Sequence, residues 1–129
     1  MTKLTKNQII FSASSPWDNP FQGLSKRVLF VCSAGILRSA TMARMYAQKY
    51  NTRCAGSEAY ALIKVSSDLL LWAEEIVFVN HENYLSVCRQ FDLDAFSLEK
   101  KIVVLDIPDE YDHMHPDLIR IIQEQYEPI

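Results

Sequence analysis

A cysteine, an arginine six positions further on and a serine directly after it share one stretch, Cys32-Ser33-Ala34-Gly35-Ile36-Leu37-Arg38-Ser39. A thiolate is a nucleophile, and a guanidinium offers a fixed fork of donors that meets two phosphate oxygens at once. Together they suit attack of sulfur on a phosphoryl group. The bare spacing is a weak signal; its flanks make it specific. Arg27-Val28-Leu29-Phe30-Val31 is β-branched, aromatic and apolar, which reads as a buried strand. Arg38 to Lys49 carries apolar residues at helical spacing. A loop between strand end and helix start aims its backbone N–H groups and the positive end of the helix dipole at one spot. That spot suits an oxyanion, and a thiol there is favoured as the thiolate. An inert buried thiol is the plainer alternative. It leaves Arg38 opposing the dipole of its own helix, which a bound anion explains. Cys32 is therefore the expected nucleophile and Arg38 the expected phosphate clamp. Ser33, Ala34, Gly35, Ile36 and Leu37 form the expected phosphate-binding loop.

The elements that must hold this loop are legible along the rest of the chain. Thr52-Arg53-Cys54-Ala55 is a short strand candidate ending at Gly56-Ser57. Ser66 to Ala73 reads as a helix with a serine cap, Glu75 to Val79 as a second buried strand, and Asn83 to Arg89 as a helix. Lys101 to Leu105 is a third strong strand, and Pro116 to Gln123 a closing helix with proline at its start. Apolar strands alternating with helices predict an α/β fold, a four-stranded parallel sheet with helices on both faces. Trp72 and Tyr84 fall at core positions of their helices, and Cys54 and Cys88 read as core thiols. Residues 1–25 carry Pro16, Asn19, Pro20 and Gly23 and read as an irregular arm before a domain spanning 26–129. Phe11, Trp17 and Phe21 suggest that the arm packs on the domain or on a second subunit.

Ligand sites of such sheets lie beyond the carboxyl ends of the strands. Cys32 is at one such end, and Leu105-Asp106-Ile107-Pro108-Asp109-Glu110-Tyr111 follows another. Cleavage of a phosphate monoester leaves an alkoxide or phenolate that needs a proton, and a carboxylic acid above the loop supplies it. Asp109 is the expected general acid, with Asp106, nearer the strand, as its rival.

With these residues in place, the chain resembles the low-molecular-weight protein tyrosine phosphatases, in particular their short bacterial and phage-type branch. The resemblance covers roughly residues 27–125. It implies Cys32 as nucleophile, Arg38 as phosphate clamp, Ser39 as the hydroxyl that hydrogen-bonds the thiolate and Asp109 as general acid. It also implies that Tyr111 lines the substrate cleft. The implied activity is hydrolysis of a phosphotyrosine-containing protein or a small aryl phosphate through a phosphocysteine, with inorganic phosphate at the loop and no cofactor. The chain departs from the pattern at Gly35, where the family carries asparagine, at Leu37, where many members have a second cysteine, and at Ala40, where proline is usual. The segment between Gly56 and Ser66 is also shorter. Glycine reaches a left-handed backbone without steric cost, so Gly35 is compatible with the loop shape.

Composition narrows the alternatives. The chain's 129 residues, 49% of them hydrophobic, suffice for one core. A net charge of −3 without a basic stripe argues against nucleic acid and anionic membranes. Three cysteines without a CxxC pair do not read as a disulfide framework, and no stretch has the apolar length of a membrane span. A reducing, cytoplasmic location is expected. His113 and His115 read as solvated loop residues, so no metal is expected. Two other functions are carried as alternatives. One is a phosphocysteine phosphocarrier of sugar-phosphotransfer type, which does not need Arg38. The other is a catalytically weakened phosphate-binding regulatory protein, suggested by Gly35 and the shortened wall.

Overall fold

In the computed structural model, which describes residues 4–9, 24–94 and 100–126, the apolar run Arg27–Cys32 forms strand β1 and is buried along almost its whole length. Such a strand needs neighbours on both edges and cover on both faces. On one edge it pairs in parallel with β2 (Asn51–Gly56), Arg27 opposite Asn51 and Cys32 opposite Gly56. On the other it pairs in parallel with β3 (Glu75–Phe78), Val28 opposite Glu75 and Val31 opposite Phe78. Strand β4 (Lys101–Val104) extends the sheet beyond β3. The order is β2-β1-β3-β4, all parallel. This is the expected α/β architecture.

Among the described residues, the sheet is flanked by α1 (Arg38–Met45), α2 (Ser67–Trp72), α3 (His81–Gln90) and α4 (Pro116–Gln125). Alternation along β1 sends Val28, Phe30 and Cys32 to one face, where Met42 and Ala43 of α1 and Leu118 and Ile122 of α4 cover them. Leu29 and Val31 face the other way, under Leu69 and Leu70 of α2 and Val87 of α3. Each fully buried aliphatic or aromatic side chain contributes about 2 kcal/mol of transfer free energy.

The local signals account for most boundaries. Ser66 caps α2 by accepting from the Leu69 N–H at 3.2 Å. Asn80 caps α3 by accepting from the Glu82 N–H at 3.0 Å, which starts that helix at His81, two residues before the expected Asn83. Helix α1 stops at Met45 instead of Lys49, because the chain turns at 46–49 to bring the Asn51 N–H onto the Lys26 carbonyl at 2.8 Å. Three expectations need correction. Strand β4 is half exposed, Val104 included, since it pairs only with β3 among the described residues. Cys88 is exposed, because α3 turns Asn83, Ser86 and Val87 inward instead. Trp72 and Tyr84 are only partly buried, packed at the margin of the core. Within the arm, residues 6–9 form a helical turn, and the Leu4 backbone exchanges two hydrogen bonds with the Gln48 side chain at 3.2 and 3.3 Å. Phe11, Trp17 and Phe21 lie outside the described residues.

Candidate active site

The loop after β1 is held from behind by its carbonyls. The N–H groups of Ser57, Glu58 and Leu62 donate to the carbonyls of Cys32, Ser33 and Ala34 at 2.8, 3.2 and 3.4 Å. Gly35 adopts φ +77°, the left-handed conformation expected of it. A Cβ there would lie 2.8 Å from the Ala55 carbonyl carbon and the Gly56 nitrogen, so the loop rests directly on the β2 backbone. With the carbonyls engaged backwards, the amides are left for the front. The Gly35 N–H donates to Cys32 Sγ at 3.1 Å, while those of Ala34, Ile36 and Leu37 meet no acceptor among the described residues. Leu37 occupies the N-cap of α1 and supplies no side-chain cap, which leaves the first-turn N–H groups open as well. An anion is the natural partner of such a concavity.

Cys32 forms its floor, with 2% of its surface exposed. The Ser39 hydroxyl lies 3.0 Å from Cys32 Sγ, so the serine after the arginine meets the sulfur and does not serve as a helix cap. Arg38 is 4% exposed, which excludes the ordinary surface role. Its Nη1 donates to the Ile107 carbonyl at 3.0 Å, its Nη2 to Ser33 Oγ at 3.4 Å, and its Nε lies 3.7 Å from Asp109 Oδ1. One arm of the guanidinium is thus anchored, and the Nε–Nη2 edge is turned toward the loop and Asp109. The Asp109 side chain is 63% exposed.

Beside Arg38 opens a cavity of about 250 Å³ lined by Ser33, Arg38, Asn80, Glu82, Asn83 and Asp109. A second, of about 190 Å³, shares Ser33, Glu82 and Asn83 with it and continues toward Glu58, Ser86 and Arg89. Both sit where β1 and β3 end, the point from which the β1-to-β2 and β3-to-β4 crossovers run in opposite directions. The residues from the start of α3 were not anticipated from the sequence. Asn83 is buried and donates to Ser33 Oγ at 3.0 Å and to Ser57 Oγ at 3.1 Å. Ser86 and Ser57 both donate to Glu58 Oε2, at 2.7 and 3.0 Å, and these two hydroxyls hold the Glu58 carboxyl below its ordinary pKa, Ser86 first. Their signal was the spacing Asn83, Ser86, Gln90, a polar stripe along one helix face.

The remaining candidates are placed as follows. Asp106 is exposed, and its backbone is fastened to the Gln125 side chain. Tyr111 packs at the margin of the core, its ring 5.3 Å from that of His115, and lines neither cavity described above. Ile36 is exposed, and Ala34 and Leu37 are half-buried. His115 caps α4 through Nδ1. Burial, then the nearby Arg44 charge, pushes the His113 pKa down. Burial pushes the Cys54 thiol up to about 12, with the neighbouring Cys32 contributing less. Among the described residues no group of His, Cys, Asp and Glu is arranged to hold a metal, and no helix is long and apolar enough to cross a membrane.

Fold and site together define a parallel α/β domain with a thiol, a guanidinium and a carboxylate gathered at the carboxyl end of its central strand. No family model, curated protein or solved structure matches this chain.

Proposed function

We propose that this protein is a phosphomonoester hydrolase of the low-molecular-weight protein tyrosine phosphatase type, acting through a phosphocysteine. The observation that carries the reading is the convergence on one loop of Cys32 Sγ, the Gly35 N–H at 3.1 Å, the Ser39 hydroxyl at 3.0 Å and a buried Arg38 facing Asp109 at 3.7 Å. The phosphoryl group sits against the loop amides and the Nε–Nη2 edge of Arg38. Cys32 Sγ attacks phosphorus, the S–P bond forms, and the ester P–O bond breaks. The departing oxygen takes its proton from Asp109. Water then attacks phosphorus as the Asp109 carboxylate takes its proton; the S–P bond breaks, and inorganic phosphate leaves. Arg38 and the amides stabilise the equatorial oxygens in both steps.

Depth supports an aryl ester, either a phosphotyrosine-containing protein or a small aryl phosphate. Cys32 is 2% exposed, and a phenyl ring carries phosphorus further from a peptide backbone than a methylene does. A nucleophilic thiol needs a reducing compartment, so the cytoplasm is its proposed location; Cys32, Cys54 and Cys88 are all free.

The test is turnover of p-nitrophenyl phosphate by the wild type and by Cys32→Ser. The variant is expected to lose turnover and to keep phosphate or vanadate binding. Substantial activity in Cys32→Ser overturns the mechanism.

A further inference from the structure

We propose that the Ser33 side-chain hydroxyl donates directly to the bound phosphoryl group and that Asn83, from α3, is the residue that positions it. This rests on the phosphate-site reading above and adds two side chains outside the nucleophile, clamp and acid.

The argument is an accounting of protons. Asn83 is 3% exposed, and its Nδ2 lies 3.0 Å from Ser33 Oγ and 3.1 Å from Ser57 Oγ. The Ser57 hydroxyl has one proton, and the Glu58 carboxylate 3.0 Å away takes it. Ser57 Oγ can therefore only accept from Asn83, which fixes the amide with Nδ2 toward the two serines. Ser33 Oγ receives the other Nδ2 proton and, at 3.4 Å, a proton from Arg38 Nη2. Both of its lone pairs are then engaged. Its own proton meets no acceptor among the described residues, and Ser33 lines the cavity beside Arg38 as well as the one adjoining it. A donor aimed there, next to the Nη2 that holds a phosphate oxygen, is preoriented for that oxygen. Asn83 Oδ1, in contrast, is buried without a partner. Such a group is costly, and the two hydrogen bonds from the amide nitrogen are what offset it.

Asn83 does not touch the phosphate; it acts through Ser33. That dependence is measurable as non-additivity. Binding of inorganic phosphate is measured by calorimetry, p-nitrophenyl phosphate turnover is assayed alongside, and thermal unfolding reports the fold. Ser33→Ala is expected to weaken phosphate binding about tenfold, the loss of one hydrogen bond to a charged group. Ser33→Thr, which keeps the hydroxyl, is expected to restore it. Asn83→Ala is expected to weaken binding too, and Ser33→Ala/Asn83→Ala to bind no more weakly than Ser33→Ala alone. A merely structural asparagine would instead give losses that multiply. Should Asn83→Ala fail to fold, Asn83→Leu keeps the approximate shape, removes the donor without adding a charge beside the anion, and carries the same cycle. A folded Ser33→Ala protein that binds phosphate like the wild type, or a double variant whose loss is the product of the single losses, overturns this inference and leaves the phosphatase reading standing. A wild type that neither binds phosphate nor hydrolyses the ester overturns both.

Discussion

Two aspartates three residues apart follow β4, and their surroundings differ. Asp109 lines the cavity beside Arg38, with Oδ1 3.7 Å from the guanidinium Nε. Asp106 instead secures the chain: its N–H donates to Gln125 Oε1 at 2.7 Å, and its carbonyl accepts from Gln125 Nε2 at 2.6 Å. On the proposed mechanism, the first stands beside the guanidinium that would hold the phosphate, and the second does not line that cavity. An acid matters most when the leaving group is poor. Asp109→Asn is therefore expected to slow phenyl phosphate or phosphotyrosine hydrolysis by about a hundredfold or more and p-nitrophenyl phosphate much less. Asp106→Asn is expected to leave both rates near wild type, since its two hydrogen bonds are made by the backbone. The comparison of kcat across the two esters decides it. If the leaving-group dependence follows Asp106 instead, the roles are reversed.

At the scale of elements, the loop depends on how closely β1, α1 and β2 meet at Gly35. A side chain there would require a left-handed backbone and would press on Ala55 and Gly56 at 2.8 Å. The backbone term alone costs about 1–2 kcal/mol. Gly35→Ala is expected to lower the urea midpoint by at least that equivalent and to weaken phosphate binding, because the Gly35 N–H that meets Cys32 Sγ would shift with the loop. A variant as stable as the wild type and binding phosphate equally would show that the loop tolerates a Cβ. This junction was largely legible in the sequence. An apolar strand, a glycine in the loop and an arginine at the helix start each leave a local mark. What joins α3 to the loop was not legible. Asn83, Ser86 and Gln90 make a polar stripe, which read alone belongs in water. Its Asn83 and Ser86 are buried because their partners, Ser33, Ser57 and Glu58, lie 25 or more residues earlier in the chain, and hydropathy carries no record of such pairing. Gln90 ends the stripe in the open. The same blindness to tertiary neighbours hid that β4 pairs only with β3 among the described residues and that Cys88 faces out.

Across the whole molecule, one end of the sheet carries the proposed site and the other a polar cluster that ties the last helix to the strands. The carboxyl end carries the loop, Arg38 and Asp109. At the amino end, Lys26 pairs with Glu75 at 2.7 Å, the Tyr126 hydroxyl donates to the same carboxylate, and the Tyr46 hydroxyl donates to the Tyr126 carbonyl at 2.8 Å. This cluster closes α4 onto the strands far from the loop. Burial, and then Glu75, raises the Tyr126 pKa, while Glu75 first of all raises that of Lys26. Within the core, burial moves the Cys54 thiol from 9.0 to about 12. In all three cases the folded protein keeps a proton that the unfolded chain gives up. Their stabilisation is therefore complete below the unfolded values and is lost as pH rises through the folded ones. Stability is expected to hold from neutral pH to about 9 and then to fall, first through Cys54 and then, above about 10, through Tyr126 and Lys26. Tyr126→Phe removes a hydrogen bond to a charged group, so it should lower neutral-pH stability by about 1.5–3 kcal/mol. It should also flatten the part of the decline above pH 10. Because the cluster lies at the opposite end from Cys32, kcat on p-nitrophenyl phosphate should stay at the wild-type value. Urea titrations across pH 7 to 11 on both proteins measure this; stability that rises with alkaline pH, or an identical slope in Tyr126→Phe, would refute the assignment.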